Sequence, residues 1–291
     1  MKKIGWIGTG VMGKSMCIHI LKNGYTLSVY NRTREKAGEL CSQGANWLAT
    51  PGDVAAASDV TFTMVGEPAD VEQVILGKGG VLERSRLGSL IVDMTTSEPS
   101  LARRIYEEAK GKSVSSLDAP VSGGDIGARE GTLAIMAGGD EEAFKRVLPI
   151  FELMGKNIAY MGGPGMGQHT KMSNQIVIAA AMVGVVESLL YARRAGLDLD
   201  SVIDIIGKGA ASSWCLNQLG RRIVKGDFAP GFYIRHFVKD MGIALLEARR
   251  MKLSLPGLAL ANQFYTAAMA EGLETEGTQA LYKVLDRLNR P

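Results

Sequence analysis

Lys3-Ile4-Gly5-Trp6-Ile7-Gly8-Thr9-Gly10-Val11-Met12-Gly13 is the stretch that decides the fold. Residues 2–7 form a short apolar run with strand character. The next six spell G-x-G-x-x-G, and a helical pattern runs behind them from Val11 to Asn23. Glycines alone would mean little, but strand before and helix after give the motif its meaning. Gly8 permits a tight turn, Gly10 lets a pyrophosphate approach the backbone, and Gly13 lets the helix pack on the strand, while the helix N-terminus favours negative charge. The pattern implies a dinucleotide held by Gly8, Thr9, Gly10, Val11 and Met12.

A second strand, Thr26 to Tyr30, ends at Asn31-Arg32-Thr33, where an acidic residue would accept the ribose 2'-hydroxyl of NAD. No acid stands there. Asn31 and Thr33 can hydrogen-bond a phosphate and Arg32 can pair with it through its guanidinium fork, so NADP is the expected cofactor. Further strand-like runs fall at Val60–Val65, Leu90–Met94, Val114–Asp118, Leu133–Ala137 and Ile158–Met161, with helical patterns between most of them. This alternation predicts an α/β fold with an N-terminal Rossmann-type doubly wound, mostly parallel sheet. Ligands in such sheets bind beyond the carboxyl ends of the strands. Two of those ends carry polar loops, Asp93-Met94-Thr95-Thr96-Ser97 and Asp118-Ala119-Pro120-Val121-Ser122-Gly123-Gly124. Thr95 and Thr96 also read as a helix cap before Glu98. Ser122-Gly123-Gly124 reads as a turn, or as a nest of backbone N–H groups suited to a carboxylate.

Past Met161 the strand signals vanish. Gly162-Gly163-Pro164-Gly165-Met166-Gly167 feeds one long helix, expected from about Gln168 to Arg194, uncharged from Met172 to Val186 and apolar around its circumference from Ile176 to Val186. A helix of that kind is expected to be buried on all sides. Its apolar run is short of the ~20 residues a bilayer needs and is bracketed by Lys171 and Glu187, so no membrane span is expected. Helical patterns continue at Leu199–Ile206, Ile234–Met251, Leu255–Glu271 and Thr278–Leu288. The domains expected are therefore residues 1–162, binding the dinucleotide, and residues 163–291, all-helical and including the long interdomain helix. A chain of 291 residues is long enough for two cores. Its net charge of +3, from 33 basic and 30 acidic residues without a dense basic run, gives no sign of nucleic acid as a partner. Cys17, Cys41 and Cys215 are widely spaced and in no metal-ligand pattern, so no metal is expected; with no signal-like start, a cytoplasmic location is.

Lys171 and Asn174 stand at i and i+3 and project from one face of the long helix. Reducing a carbonyl requires a proton donor for the developing alkoxide, and a lysine with its pKa lowered by burial and a nearby cation can serve. The three histidines fit less well: His19 lies inside the first helix, and His169 and His236 read as local polar contacts.

Gly8 to Gly13, Asp118 to Gly124, Gly165-Met166-Gly167-Gln168-His169-Thr170-Lys171-Met172-Ser173-Asn174-Gln175 and Lys239-Asp240 together resemble the four signatures of the β-hydroxyacid dehydrogenase family, in order and across the whole chain. The resemblance implies that Lys171 is the catalytic acid/base and that Asn174 holds the substrate hydroxyl. It implies that Ser122, Gly123 and Gly124 anchor a substrate carboxylate, that Thr96 lies by the nicotinamide ribose and substrate, and that Trp214 closes over the substrate, although a tryptophan alone reads equally as core. Met64 and Val65 would line the cofactor, and Lys239 would reach its nicotinamide side. Among the branches, Asn31-Arg32-Thr33 is similar to NADP-dependent glyoxylate and succinic semialdehyde reductases. The run from Lys171 to Gln175 is equally similar to tartronate semialdehyde reductases, and 3-hydroxyisobutyrate and serine dehydrogenases follow. A homodimer or homotetramer is implied, with a small carboxylate as substrate. A dinucleotide-binding scaffold without chemistry, or an imine reductase, would be expected to replace the lysine that is present here.

Overall fold

A computed structural model describes residues 1–290. Contacts divide it into a sheet unit, Met1–Lys171, and a helical unit that begins at Met172.

The sheet unit contains β1 Lys3–Ile7, β2 Thr26–Tyr30, β3 Asn46–Trp47, β4 Val60–Thr63, β5 Leu90–Asp93, β6 Ser115–Asp118, β7 Val121–Ser122, β8 Leu133–Gly139 and β9 Gly155–Gly162. They form a single sheet in the order β3-β2-β1-β4-β5-β6-β8-β7, with β9 paired to β8. Strands β1 to β6 are parallel, whereas β8 runs antiparallel to β6 and β7. From β1 the chain builds outward to β2 and β3, then crosses back to β4 on the other side. The order thus reverses beside β1, the point at which such sheets bind ligands.

Burial follows the period of two that a strand imposes. On β1, Ile4 and Trp6 join Phe62, Val92 and Phe151 in one core layer, while Ile7 joins Val54, Val71, Ile91 and Ile105 in the other. Trp6 stacks on Phe62 with ring centroids 5.2 Å apart. Strand β4 ends two residues before its apolar run and β5 one, although the Met64 and Met94 N–H groups still donate to the Ile7 and Thr63 carbonyls at 2.8 and 2.9 Å. The Val65 N–H bonds the Thr95 hydroxyl at 3.0 Å instead of a strand neighbour. β3 and β7, two residues each, are too short to show any period in sequence.

The long helix runs Met166–Arg194. Its start lies two residues before the expected position, and the division between units falls inside it, after Lys171, rather than at residue 162. The physical reason is that the first turn is bound to the sheet, with the Gln168 N–H donating to the Asp118 carboxylate at 2.8 Å. Burial on all sides is not what the helix shows. Met172, Ala179, Met182, Val186 and Leu189 enter the helical core, but Val177, Ala180, Gly184 and Tyr191 form an exposed stripe. Taken over all 29 residues, the helix is long and apolar enough by length and composition to cross a membrane, which the shorter run read from sequence was not.

The helical unit adds helices Leu199–Ile206, Arg221–Val224, Ile234–Arg250, Pro256–Ala270 and Leu281–Leu288. The π-helical turn Cys215–Gly220 has no counterpart among the expected elements, while a 3-10 turn, Thr278–Ala280, forms the start of the expected Thr278–Leu288 pattern. Phe237 meets Tyr265 edge to face at 5.0 Å in its core. The buried Tyr265 hydroxyl donates to the Thr278 carbonyl at 2.8 Å.

Candidate active site

The glycine loop at the end of β1 is shaped by backbone constraints. Gly8 has φ +95°, a conformation that favours glycine, and a Cβ there would overlap the Met64 carbonyl. Gly13 abuts the Gly8 carbonyl, which also accepts from the Trp6 indole N–H at 3.0 Å. Gly10 differs: nothing lies within 4 Å of where its Cβ would be. It caps helix Val11–Lys22, which has no side-chain cap and no acidic residue in its first turn. Beside it the Thr9 hydroxyl is buried without a hydrogen-bond partner. An open approach, uncapped N–H groups and an unsatisfied hydroxyl are features that suit a dinucleotide's phosphates, so these residues fit the cofactor.

At the end of β2 the outcome is divided. Both ends of the Asn31 amide are committed to the backbone: Oδ1 accepts from the Thr9 N–H at 3.0 Å and Nδ2 donates to the Thr33 carbonyl at 2.9 Å. Asn31 therefore braces the glycine loop, a role its motif did not suggest. The Arg32 side chain is 87% exposed and lies 3.6 Å from Asp70, a solvent-screened pair that holds it weakly. Thr33 precedes the turn Arg34–Ala37 without capping it through its side chain.

The ends of β5 and β6 carry two buried acids in register, Asp93 and Asp118. Asp93 accepts from the Thr63 hydroxyl at 2.7 Å and the Thr95 N–H at 3.1 Å. Thr95 and Thr96 are not the helix cap, because Glu98 occupies that position before helix Pro99–Lys110. Asp118 accepts from the Gly165 and Gln168 N–H groups, both at 2.8 Å. Burial pushes the Asp118 carboxyl up to about 7, against the pull of those two donors and with Asp93 adding to the rise. Gln168 in turn links its amide to the Ser97 N–H and the Thr95 carbonyl, at 2.9 and 2.7 Å. The first turn of the long helix is thereby bound to two strand ends. Three residues further on is Lys171, only 6% exposed.

Ser122 is half-buried at the end of β7, followed by Gly123 at φ +130° and Gly124 at φ +63°. Side-chain-bearing residues rarely adopt either conformation, which explains the glycine pair. Thr96 is half-buried.

In the helical unit, half-buried Asn174 donates through Nδ2 to Gln175 Oε1 at 2.7 Å, and buried Gln175 donates through Nε2 to Asp240 Oδ2 at 2.6 Å. The Lys239 ammonium lies 3.1 Å from Asp240 Oδ1. Trp214 is 66% exposed at the start of the π-helical turn, which excludes a core role. His236 packs against Phe232 and Tyr233, its pKa lowered by burial and then by the nearby Lys239 and Arg235. His169 contacts Arg103 at 3.3 Å, and His19 faces the carbonyls of Ala128 and Arg129. Asp118, Gln168 and Asp240 stand within the sequence motifs, which by themselves point to no role for them. Each is a polar residue at a buried position, a condition visible only once the burial is known.

Fold and cradle together define the class: a Rossmann-type, dinucleotide-dependent oxidoreductase with an all-helical second unit. Residues 3–162 match the family model described as the NAD binding domain of 6-phosphogluconate dehydrogenase. Residues 165–285 match the NAD-binding domain of NADP-dependent 3-hydroxyisobutyrate dehydrogenase. The "Probable 3-hydroxyisobutyrate dehydrogenase-like 1, mitochondrial" of Arabidopsis thaliana is 55% identical over 99% of this chain and 86% of its own length. The 2-hydroxy-3-oxopropionate reductase of Escherichia coli is 42% identical over 98% and 97%. Among solved structures, the 3-hydroxyisobutyrate dehydrogenase of Mycobacterium tuberculosis with L-serine covers both chains fully, with TM-score 0.90 and 27% identity. The chain belongs to the β-hydroxyacid dehydrogenase family, to which 3-hydroxyisobutyrate dehydrogenase also belongs. It is an NAD(P)-dependent oxidoreductase of the hydroxyacid dehydrogenase kind.

Proposed function

We propose that this enzyme uses NADP(H) to interconvert a small semialdehyde or 2-oxo acid, of the glyoxylate or succinic semialdehyde type, with its hydroxy acid. The observation that carries the reading is Lys171: a lysine only 6% exposed, on a helix whose first turn is tied to the β5 and β6 ends through Gln168. In reduction Lys171 Nζ gives a proton to the carbonyl oxygen, and in oxidation it takes one from the hydroxyl. Asn174 holds that hydroxyl. The N–H groups and hydroxyl of Ser122, Gly123 and Gly124 hold the substrate carboxylate, while Thr96 and Trp214 border the substrate. Gly8 to Met12, Met64, Val65, Thr96 and Lys239 hold the cofactor, and Arg32 and Thr33 receive its 2'-phosphate. When bound, the nicotinamide supplies or accepts the hydride.

NADP over NAD is supported by the absence of an acid after β2 and by the exposed Arg32. Tartronate semialdehyde is the second reading for the substrate, supported by identity to the E. coli reductase. A homo-oligomer is supported by the exposed stripe of Val177, Ala180, Gly184 and Tyr191. A cytoplasmic location fits the free thiols of Cys17, Cys41 and Cys215.

The test is kcat/KM on a panel of glyoxylate, succinic semialdehyde and tartronate semialdehyde with NADPH and NADH. NADPH is expected to win. Arg32→Ala should reduce that preference about 10–100-fold, the worth of a charge-assisted hydrogen bond. Preference for NADH, or an unchanged ratio in the variant, refutes the cofactor assignment.

A further inference from the structure

We propose that Asp240 is a positioning residue which, through Gln175, fixes the orientation of the Asn174 amide toward the substrate oxygen. The inference rests on the reading above that Asn174 meets the substrate. Its basis is the direction of a three-residue chain of hydrogen bonds within the helical unit.

Asp240 lies on helix Ile234–Arg250 and is 1% exposed. Its Oδ1 is 3.1 Å from the Lys239 ammonium, close enough to pair by charge though not aligned as a hydrogen bond. Its Oδ2 meets Gln175. A carboxylate beside an ammonium can only accept. Gln175, itself 1% exposed, must therefore turn its NH2 group to Asp240, which points its Oε1 the other way. There it accepts from Asn174. With one Nδ2 hydrogen committed, Asn174 is left with Oδ1 and its second N–H for a ligand, both in fixed directions.

Turning either amide over would set two oxygens against each other at the 2.6 Å or 2.7 Å contacts. In a buried cluster, such an unpaired acceptor costs about 1–3 kcal/mol. The polarity of the chain is thus set at Asp240, two residues away from the end that acts. Held in that direction, Asn174 offers Oδ1 to a substrate hydroxyl and its second N–H to a carbonyl oxygen.

The experiment uses the full-length enzyme, NADP+ and the hydroxy acid that the wild type oxidises best. Should the wild type oxidise no hydroxy acid, the functional reading fails before the relay is tested. With an active wild type, Asp240→Asn and Gln175→Glu should each lower kcat/KM about 10–100-fold, the effect of misorienting a substrate contact. The first variant no longer dictates the Gln175 orientation, and the second sets two carboxylates together. In the double variant Gln175→Glu/Asp240→Asn, the amide at position 240 can donate to the carboxylate at 175, which still accepts from Asn174. Activity should return to within about tenfold of wild type. The swap keeps one carboxylate and one amide in the cluster, so it controls for folding, which thermal unfolding of all three variants checks. An Asp240→Asn variant within about threefold of wild type, or a double variant no better than Asp240→Asn, overturns the proposal.

Discussion

The two units build their functional groups by different means. In the sheet unit the work is done by backbone: Gly8 makes the turn, Gly10 leaves open space, and Gly123 and Gly124 adopt conformations closed to most residues. In the helical unit it is done by side chains that orient one another, from Asp240 through Gln175 to Asn174. A backbone site depends on local geometry and so leaves a contiguous trace in the sequence. A side-chain relay depends on which helices meet, and its members stand 65 residues apart. Lys171 falls where the two styles join, on the last residue of the sheet unit and on the helix that enters the other.

That contrast can be broken or sharpened at three points. The largest effect is expected at Lys171. Lys171→Ala should lower kcat by about 10²–10⁴-fold with the KM for NADPH little changed, since a positioned acid/base contributes that much to rate and nothing to phosphate binding. Near-normal turnover in steady-state assays would remove its role.

Next comes Asp118, the side chain that couples the sheet to the long helix. Its folded-state carboxyl keeps a proton up to about 7, against an ordinary value of 3.8 in the unfolded chain. The stability it contributes is therefore full below about 3.8 and lost as pH rises through 7. Asp118→Asn has no such titration. Relative to wild type, its Tm should improve as pH rises from about 4 to about 7, by a free-energy change on the order of 2–4 kcal/mol. Parallel Tm profiles for the two proteins would show that Asp118 does not titrate this way.

The smallest effects separate two glycines of one motif. Gly8→Ala should cost about 1–3 kcal/mol in denaturant unfolding, through its positive φ and the overlap with Met64. Gly10→Ala should leave stability within about 0.5 kcal/mol, because its Cβ meets nothing, yet raise the KM for NADPH roughly tenfold or more. Equal stability losses at both positions would mean that Gly10 is structural and not an approach for the cofactor.

Much of the architecture was legible beforehand. Strand β2 and helix Leu199–Ile206 carry the bounds read from their patterns, and the remaining long elements differ by a few residues at their ends. Where the reading failed, tertiary contacts explain it. Thr95 looked like a cap, but its hydroxyl serves the Val65 N–H, a partner 30 residues away. Asn31 reads in sequence only as a phosphate ligand, yet its amide also joins the Thr9 N–H of the glycine loop to the Thr33 carbonyl. The long helix was expected to be covered all round, but in this chain its apolar circumference is covered along one side only. Periodicity reports which residues are apolar, and cannot report how many partners one chain supplies for them.

The sequence by itself determined the alternation of strands and helices, the glycine cradle, the missing acid after β2, and the place of Lys171 at the head of an uncharged helix. Each is local, set by a few consecutive residues and their conformational limits. Only the tertiary structure decided that Asp118 binds the first turn of that helix to the sheet, that the Asn31 amide joins Thr9 to Thr33, and that Asp240 sets the direction of the Gln175 and Asn174 amides. Those depend on burial, which turns an ordinary polar side chain into one that must find its partner inside the protein.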